Sequence, residues 1–283
     1  MNNKKIYLCA ICNVQSGTCN EDCKFCTQSV KYKANIQRYK EKPIEDILKE
    51  AYIAVSNKAI GYCLVTAGAG LDDKKVQFIS TIAKAIKKEL PDLNLIACNG
   101  IASLDHLKEL KKAGINSYNH NLESSKEFYS SICTTHSWED RYQTCLNIKS
   151  AGLNLCSGGI FGMGETQEDR VSMLKSIKEL NPQSMPINFF HPNEALPLTK
   201  NSLSKQEALD LVKLSRETLG EDIMLMVAGG RESTLKEDQY KVFEYGANSI
   251  VIGNYLTTSG KIASKELEDL ENLGFDISFQ CIK

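Results

Sequence analysis

Ile6-Tyr-Leu-Cys-Ala-Ile-Cys-Asn-Val14 is an apolar run, and Gly17-Thr-Cys-Asn-Glu-Asp-Cys-Lys-Phe-Cys26 follows it almost at once. The first stretch predicts a short buried strand. The second places three thiols, Cys19, Cys23 and Cys26, in the loop behind it. Outward from there, a unit of apolar strand and amphipathic helix recurs about every 25 to 40 residues. Strands are expected at 6–14, 61–66, 94–98, 117–121, 154–160, 184–189, 223–228 and 249–252. Helices are expected at 44–55, 76–90, 104–113, 139–151, 169–180, 205–219 and 236–245. In the first of these Ile44, Ile47, Leu48 and Ala51 share one face. Ala113-Gly114, Ala151-Gly152 and Tyr245-Gly246 close three of the helices, because glycine takes the left-handed turn out of a helix readily.

Eight strands alternating with helices predict an α/β fold, a closed (β/α)8 barrel of the TIM type, with residues 1–283 as a single domain. No low-complexity tract or Pro/Ser-rich linker marks a boundary. An open doubly wound sheet would carry Gly-x-Gly-x-x-Gly after its first strand, and none stands there. The glycines of Gly158-Gly-Ile-Phe-Gly-Met-Gly-Glu165 do not have that spacing either. A barrel gathers its chemistry at the C-terminal ends of its strands. Cys63, Cys98, Asn119, Asn121, Cys156 and Asn188 fall at or near those ends.

The chain of 283 residues is 42% hydrophobic and 24% charged, with a formal net charge of −1 and scattered Lys and Arg. That balance argues against a nucleic-acid groove or an anionic membrane surface. No apolar run approaches the roughly 18 residues of a membrane helix. The start, Met-Asn-Asn-Lys-Lys, leads into the cysteine loop without an Ala-x-Ala-like cleavage site, so no signal peptide is expected and the location expected is cytoplasmic. Eleven cysteines in such a chain point to metal or cluster chemistry rather than to disulfides. Some of them are expected simply to pack as small hydrophobes.

A zinc site would close the C-x3-C-x2-C run with a fourth Cys or His. Three thiolates on a cubic 4Fe–4S cluster instead leave one iron open. With Phe25 before the third cysteine, the run resembles the radical S-adenosylmethionine superfamily. The resemblance implies that Cys19, Cys23 and Cys26 bind the cluster, whose open iron takes the amino and carboxylate groups of S-adenosylmethionine. An electron from the cluster then yields a 5′-deoxyadenosyl radical, with Phe25 beside the adenine. Tyr118-Asn-His-Asn-Leu-Glu123, Cys156-Ser-Gly-Gly-Ile-Phe-Gly-Met-Gly-Glu-Thr166, Pro186-Ile-Asn188 and Ala228-Gly-Gly-Arg-Glu232 narrow the match. They resemble the biotin synthase family, over residues 6–277.

That resemblance implies a sulfurtransferase that inserts sulfur into dethiobiotin, the last step of biotin formation. A second, auxiliary iron–sulfur cluster, 2Fe–2S by resemblance, would donate a sulfide and be held by Cys63, Cys98 and Cys156. Asn119, Asn121 and Asn188 match positions that contact the substrate or the nucleoside. Glu123, where many relatives carry aspartate, would hold the ribose hydroxyls. Arg141 matches an arginine near the methionine carboxylate, and Ile160 an apolar residue on the adenine. A flavodoxin- or ferredoxin-like electron donor and a homodimer are implied in the same way.

One position departs from the family. Met226 stands where relatives use an arginine as the auxiliary cluster's fourth ligand, and a neutral thioether supplies neither the charge nor the donors of a guanidinium. The cluster's nuclearity or its fourth ligand is therefore expected to differ. Arg231 matches a separate family arginine. Among the further cysteines Cys9, Cys12, Cys133 and Cys145, Cys12 reads as the best placed on a barrel-lining strand, with core packing as its default; Cys281 reads as incidental. His106, His120, His136 and His191 form no close pair and are expected in structural or supporting roles, with His120 turned away from the flanking asparagines. Two rivals remain at this stage. One is a hydrogenase-maturation or methylornithine-type barrel enzyme, which shares the first motif and the fold but not the three barrel cysteines together with Tyr118-Asn-His-Asn121. The other is a zinc or cluster protein used for structure or electron transfer.

Overall fold

The computed structural model describes residues 5–198 and 203–279; Cys281 lies outside them. Its strands are β1 (Lys5–Gln15), β2 (Ala59–Thr66), β3 (Asn94–Cys98), β4 (Ser117–Asn119), β5 (Asn154–Cys156), β6 (Gly159–Phe161), β7 (Ser184–Phe189), β8 (Met224–Val227), β9 (Ser249–Ile252) and β10 (Asp276–Ile277). The helices are α1 (Ile44–Ser56), α2 (Asp73–Glu89), α3 (Leu104–Lys112), α4 (Lys126–Ile132), α5 (Trp138–Ser150), α6 (Gln167–Leu180), α7 (Lys205–Leu219), α8 (Arg231–Leu235) and α9 (Ala263–Asn272). The strands run in parallel in the order β1-β2-β3-β4-β5-β7-β8-β9, and β9 returns to β1 with Tyr7 opposite Ser249. The expected (β/α)8 barrel is therefore closed, while β10 pairs with the start of β1 outside the ring.

Local chemistry explains the helix starts. Ser137 with Asp140, Thr166 with Asp169 and Ser204 with Glu207 form reciprocal capping boxes at α5, α6 and α7. The buried faces, such as Val76, Ile79, Ile82, Ala83 and Ile86 of α2, pack on the outer wall of the barrel. All eight residues of β2 are buried, as in a strand covered on both sides.

The structure corrects several boundaries. The strand expected at 154–160 breaks into β5 and β6, and both pair with β7. A Cβ at Gly158 would come within 1.9 Å of the Pro186 carbonyl oxygen, so the break needs glycine there. The helix expected at 236–245 is instead a 3-10 stretch, Lys236–Phe243, preceded by the short α8, with the junction at Lys236 in a positive-φ conformation. Helices α4, α8 and α9 and strand β10 were not expected from the sequence pattern.

A second correction concerns β1. Side chains alternate across a strand, and here Leu8 and Cys12 face the outer core whereas Cys9 and Ile11 face the barrel interior. Cys12 donates to Glu50 Oε2 at 3.1 Å, and Lys42 Nζ bonds the same carboxylate. Burial, followed by the Glu50 charge, pushes its thiol up to about 12. Cys12 is a packed outer-wall residue, and the inward cysteine of β1 is Cys9.

Arg231, fully buried, leaves the barrel interior and bonds Glu266 Oε1 of α9 at 2.5 Å and the Val251 carbonyl at 3.2 Å. Gln239 is a further partner. Removing one member strands a buried charge. Arg231→Met should therefore lower unfolding stability by about 3–5 kcal/mol, read from urea denaturation. A loss below about 1 kcal/mol would mean that the charge of Glu266 is relieved some other way.

Candidate functional site

A cavity of about 380 Å³ opens at the C-terminal ends of the strands. Cys63 from β2, Cys98 from β3 and Cys156 from β5 line it, each placed there by an inward position of its strand. Cys63 and Cys156 pack in one small interior cluster with Val65 and Ile96, and Cys98 lies against it. Hydrogen bonding to Cys98, with burial, holds the Cys63 thiol well above its ordinary range. The same bond favours the thiolate at Cys98, which also accepts from Asn119 Nδ2 at 3.6 Å. Three thiols from three strands thus share one interior surface.

Cys9 and Met226 line the cavity from β1 and β8 and pack together with Ala228 and Val251. Cys9, Ile96, Cys156 and Met226 also line a second cavity of about 310 Å³, so they form the floor between the two. Cys9 adds to the charge felt by Cys63. Sequence reasoning passed over Cys9 in favour of Cys12, although the parity of β1 separates the two.

The first loop reaches over the cavity mouth with Phe25 and Cys26 on its lining. Burial above all, with the Cys19 and Glu123 charges adding, pushes Cys26 up to about 11. Cys19 is buried in the same loop, its amide bonded to the Gln28 carbonyl. Cys23 turns toward Cys133, with the two sulfurs 3.6 Å apart.

Asn119, Asn121, Glu123, Ile160 and Asn188 also line the cavity. Glu123 sits at φ +67 and pairs with Arg141 Nη2 at 2.9 Å. Burial alone would lower the guanidinium; the Glu123 carboxylate together with Tyr129, Cys23 and Cys145 outweighs it and holds Arg141 above its ordinary range. Asn121 Nδ2 donates to Glu123 Oε2 at 3.4 Å and its Oδ1 accepts from the Gly158 amide at 3.2 Å. Asn188 spans the strand ends, donating to the Gly159 carbonyl and accepting from the Gly229 amide. Asn119 Oδ1 and Arg141 Nε are buried with no protein partner. Asn119 lines the cavity, so its oxygen is available for a further polar contact there.

His120 is buried and lies off the cavity lining, as its alternation with the asparagines predicts, and burial holds it well below its ordinary range. His106 pairs with Asp73 on the surface, and His191 lies on the cavity lining. Cys145 donates to the His120 carbonyl in the core. Glu165 accepts from the amides of Gly162 and Met163 and from Arg170, which fixes the glycine turn after β6. A larger cleft, about 690 Å³, lies between Lys42, Glu50 and the 253–263 loop and holds none of the candidate site residues.

Residues 14–177 match the Radical SAM superfamily, and residues 186–276 match the Biotin and Thiamin Synthesis associated domain. The chain is 64% identical over 281 residues to the biotin synthase of Aliarcobacter butzleri (strain RM4018), covering 99% of each. It is 59% identical to the biotin synthase of Sulfurimonas denitrificans (strain ATCC 33889 / DSM 1251), covering 98% of each. Among solved structures, an FeFe-hydrogenase maturase from Carboxydothermus hydrogenoformans superposes with a TM-score of 0.83 at 18% identity. That match covers 97% of this chain and 68% of the maturase, and it shows a common fold.

Proposed function

We propose that this chain, which belongs to the biotin synthase family of the radical S-adenosylmethionine superfamily, forms biotin by inserting sulfur into dethiobiotin. It is a sulfurtransferase that works with S-adenosylmethionine and a 4Fe–4S cluster. The observation that carries the reading is the meeting of Cys63, Cys98 and Cys156 on one interior surface. Held by the first-loop cysteines and by these three thiols respectively, the two clusters would supply a 5′-deoxyadenosyl radical and a sulfide, chemistry that attack on unactivated C–H bonds requires.

The residues of the chain divide the remaining work. Cys19, Cys23 and Cys26 hold the first cluster, and Cys63, Cys98 and Cys156 hold the auxiliary one. Phe25 and Ile160 flank the adenine, Glu123 takes the ribose hydroxyls, and Arg141 neutralises that carboxylate near the methionine end. Asn119, Asn121 and Asn188 face the ureido head of the substrate, to which an amide can both donate and accept. The barrel wall keeps water and stray hydrogen donors from the radical. Met226 is unsuited to replace an arginine, and Cys9 beside it supplies the auxiliary cluster's fourth donor. Four cysteine thiolates can hold either a 2Fe–2S or a 4Fe–4S cluster, so this donor set replaces the arginine without fixing the nuclearity. The barrel forms one domain over 1–283, supported by the closure of β9 on β1 across both matched segments. A flavodoxin- or ferredoxin-like donor, a cytoplasmic location and a homodimer complete the proposal. Among the described residues no helix is long and apolar enough to cross a membrane.

The test is an anaerobic single turnover of the reconstituted chain with S-adenosylmethionine, reductant and dethiobiotin, read by mass spectrometry. Biotin together with 5′-deoxyadenosine is expected. Deoxyadenosine without biotin would overturn the substrate, and neither product from a chain carrying its 4Fe–4S cluster would overturn the enzyme.

A further inference from the structure

Cys23, Cys133 and His136 bring three soft donor atoms within 4.8 Å of one another. Cys133 Sγ lies 3.6 Å from Cys23 Sγ, 3.4 Å from His136 Nδ1 and 3.8 Å from His136 Nε2. Tetrahedral zinc, with Zn–S near 2.3 Å and Zn–N near 2.0–2.1 Å, demands sulfur–sulfur edges of about 3.8 Å and sulfur–nitrogen edges of about 3.6 Å. The two edges from Cys133 already stand close to those spacings, and the third lies within 4.8 Å. His136 Nδ1 is bonded to Glu21 Oε2 at 2.8 Å, which leaves Nε2 as the ligating atom. A histidine ligand backed by a carboxylate is the usual outer-shell arrangement at zinc.

The two loops that carry these donors are tied together independently of any ion. Asp22 accepts from the amides of Thr134 and Thr135 at 2.9 and 3.2 Å. The Lys24 amide donates to the Ile132 carbonyl at 2.9 Å, and Lys24 Nζ to the Ser131 carbonyl at 2.7 Å. The end of α4 thereby holds Cys133 against the first loop, and the turn into α5 holds His136 beside it. None of this is needed for three motif cysteines to hold a cluster.

We propose that the cluster-free chain carries a zinc site formed by Cys23, Cys133 and His136, with water as the fourth ligand. In the loaded site both cysteines are thiolates and the imidazole is neutral, so the ion and its two thiolates balance in charge. Cys23 cannot serve zinc and an iron–sulfur cluster at once. On the reading of Cys19, Cys23 and Cys26 as cluster ligands, zinc at this site therefore keeps the first cluster from assembling.

The probe is cobalt(II), followed by zinc in competition, added to the full chain stripped of metal by a chelator under anaerobic conditions. One equivalent should give tetrahedral cobalt absorption with thiolate charge-transfer bands, which zinc then bleaches. Cys133→Ala and His136→Ala should each weaken binding more than about 100-fold, and Glu21→Gln by about 10–100-fold. Cys19→Ala and Cys26→Ala should bind as the parent does. One equivalent of zinc should slow 4Fe–4S assembly in the parent but not in Cys133→Ser, a near-isosteric variant whose far-UV spectrum checks folding. Absence of stoichiometric tetrahedral cobalt overturns the proposal. So does binding that survives Cys133→Ala and His136→Ala but is lost in Cys19→Ala or Cys26→Ala, because the ion then sits in the first-loop motif. These readouts do not depend on biotin formation, so failure here is distinguishable from failure of the function above.

Discussion

Alanine at Cys63, Cys98 or Cys156, introduced one at a time, should abolish biotin formation while 5′-deoxyadenosine release remains measurable. The three thiols come from separate strands and meet inside the barrel, so no neighbouring thiol on the same strand can take over a lost one. The first-loop cysteines are on a different segment, and their cluster should load in each variant. A fall in biotin of at least about a thousandfold is expected, equivalent to about 4 kcal/mol in the barrier. Alanine at Cys19, Cys23 or Cys26 should instead remove both products. The contrast is read by mass spectrometry of one anaerobic reaction per variant. Normal biotin yield from all three barrel variants would remove the auxiliary thiols from the mechanism.

Cys9→Ala should reduce iron and sulfide by the content of the auxiliary cluster and leave the first cluster's signal intact. Cys9 faces inward on β1, opposite Gly61 and Val251 in register. A side chain at Gly61 would crowd it, since a Cβ there stands 3.0 Å from Cys9 Sγ. Glycine at that position leaves room for the thiol. Met226 packs against the same floor, but an uncharged thioether binds iron far more weakly than a thiolate does. Met226→Ala should therefore retain the auxiliary iron. Full loading of Cys9→Ala together with loss in Met226→Ala would reverse the assignment. Iron and sulfide analysis with Mössbauer spectra decides it without reference to turnover.

The barrel was legible because its strands are covered on both faces and read as unbroken apolar runs, β2 above all. Helix starts were legible where a capping residue and its partner lie three positions apart, as with Thr166 and Asp169. What escaped depends on distant parts of the chain. The break between β5 and β6 follows from the Pro186 carbonyl pressing on Gly158. The approach of Cys133 to Cys23 joins positions 110 residues apart, and no local pattern announces it. Cys9 is the opposite case. The period of two in β1 puts Cys9 and Cys12 on opposite faces, but without the structure nothing fixed which face was inward.

The pairing of residue 7 with residue 249 also sets an order of events during synthesis. As the chain leaves the ribosome, the three first-loop cysteines emerge among the earliest residues, long before the barrel can close. The inner chamber does not exist until β9 has been made and has docked on β1, a long-range contact of the kind that forms slowly. Its floor takes Cys9 from the first strand and Met226 from the eighth. The inner cavity is therefore complete only once the last strand of the ring has been made, late in synthesis.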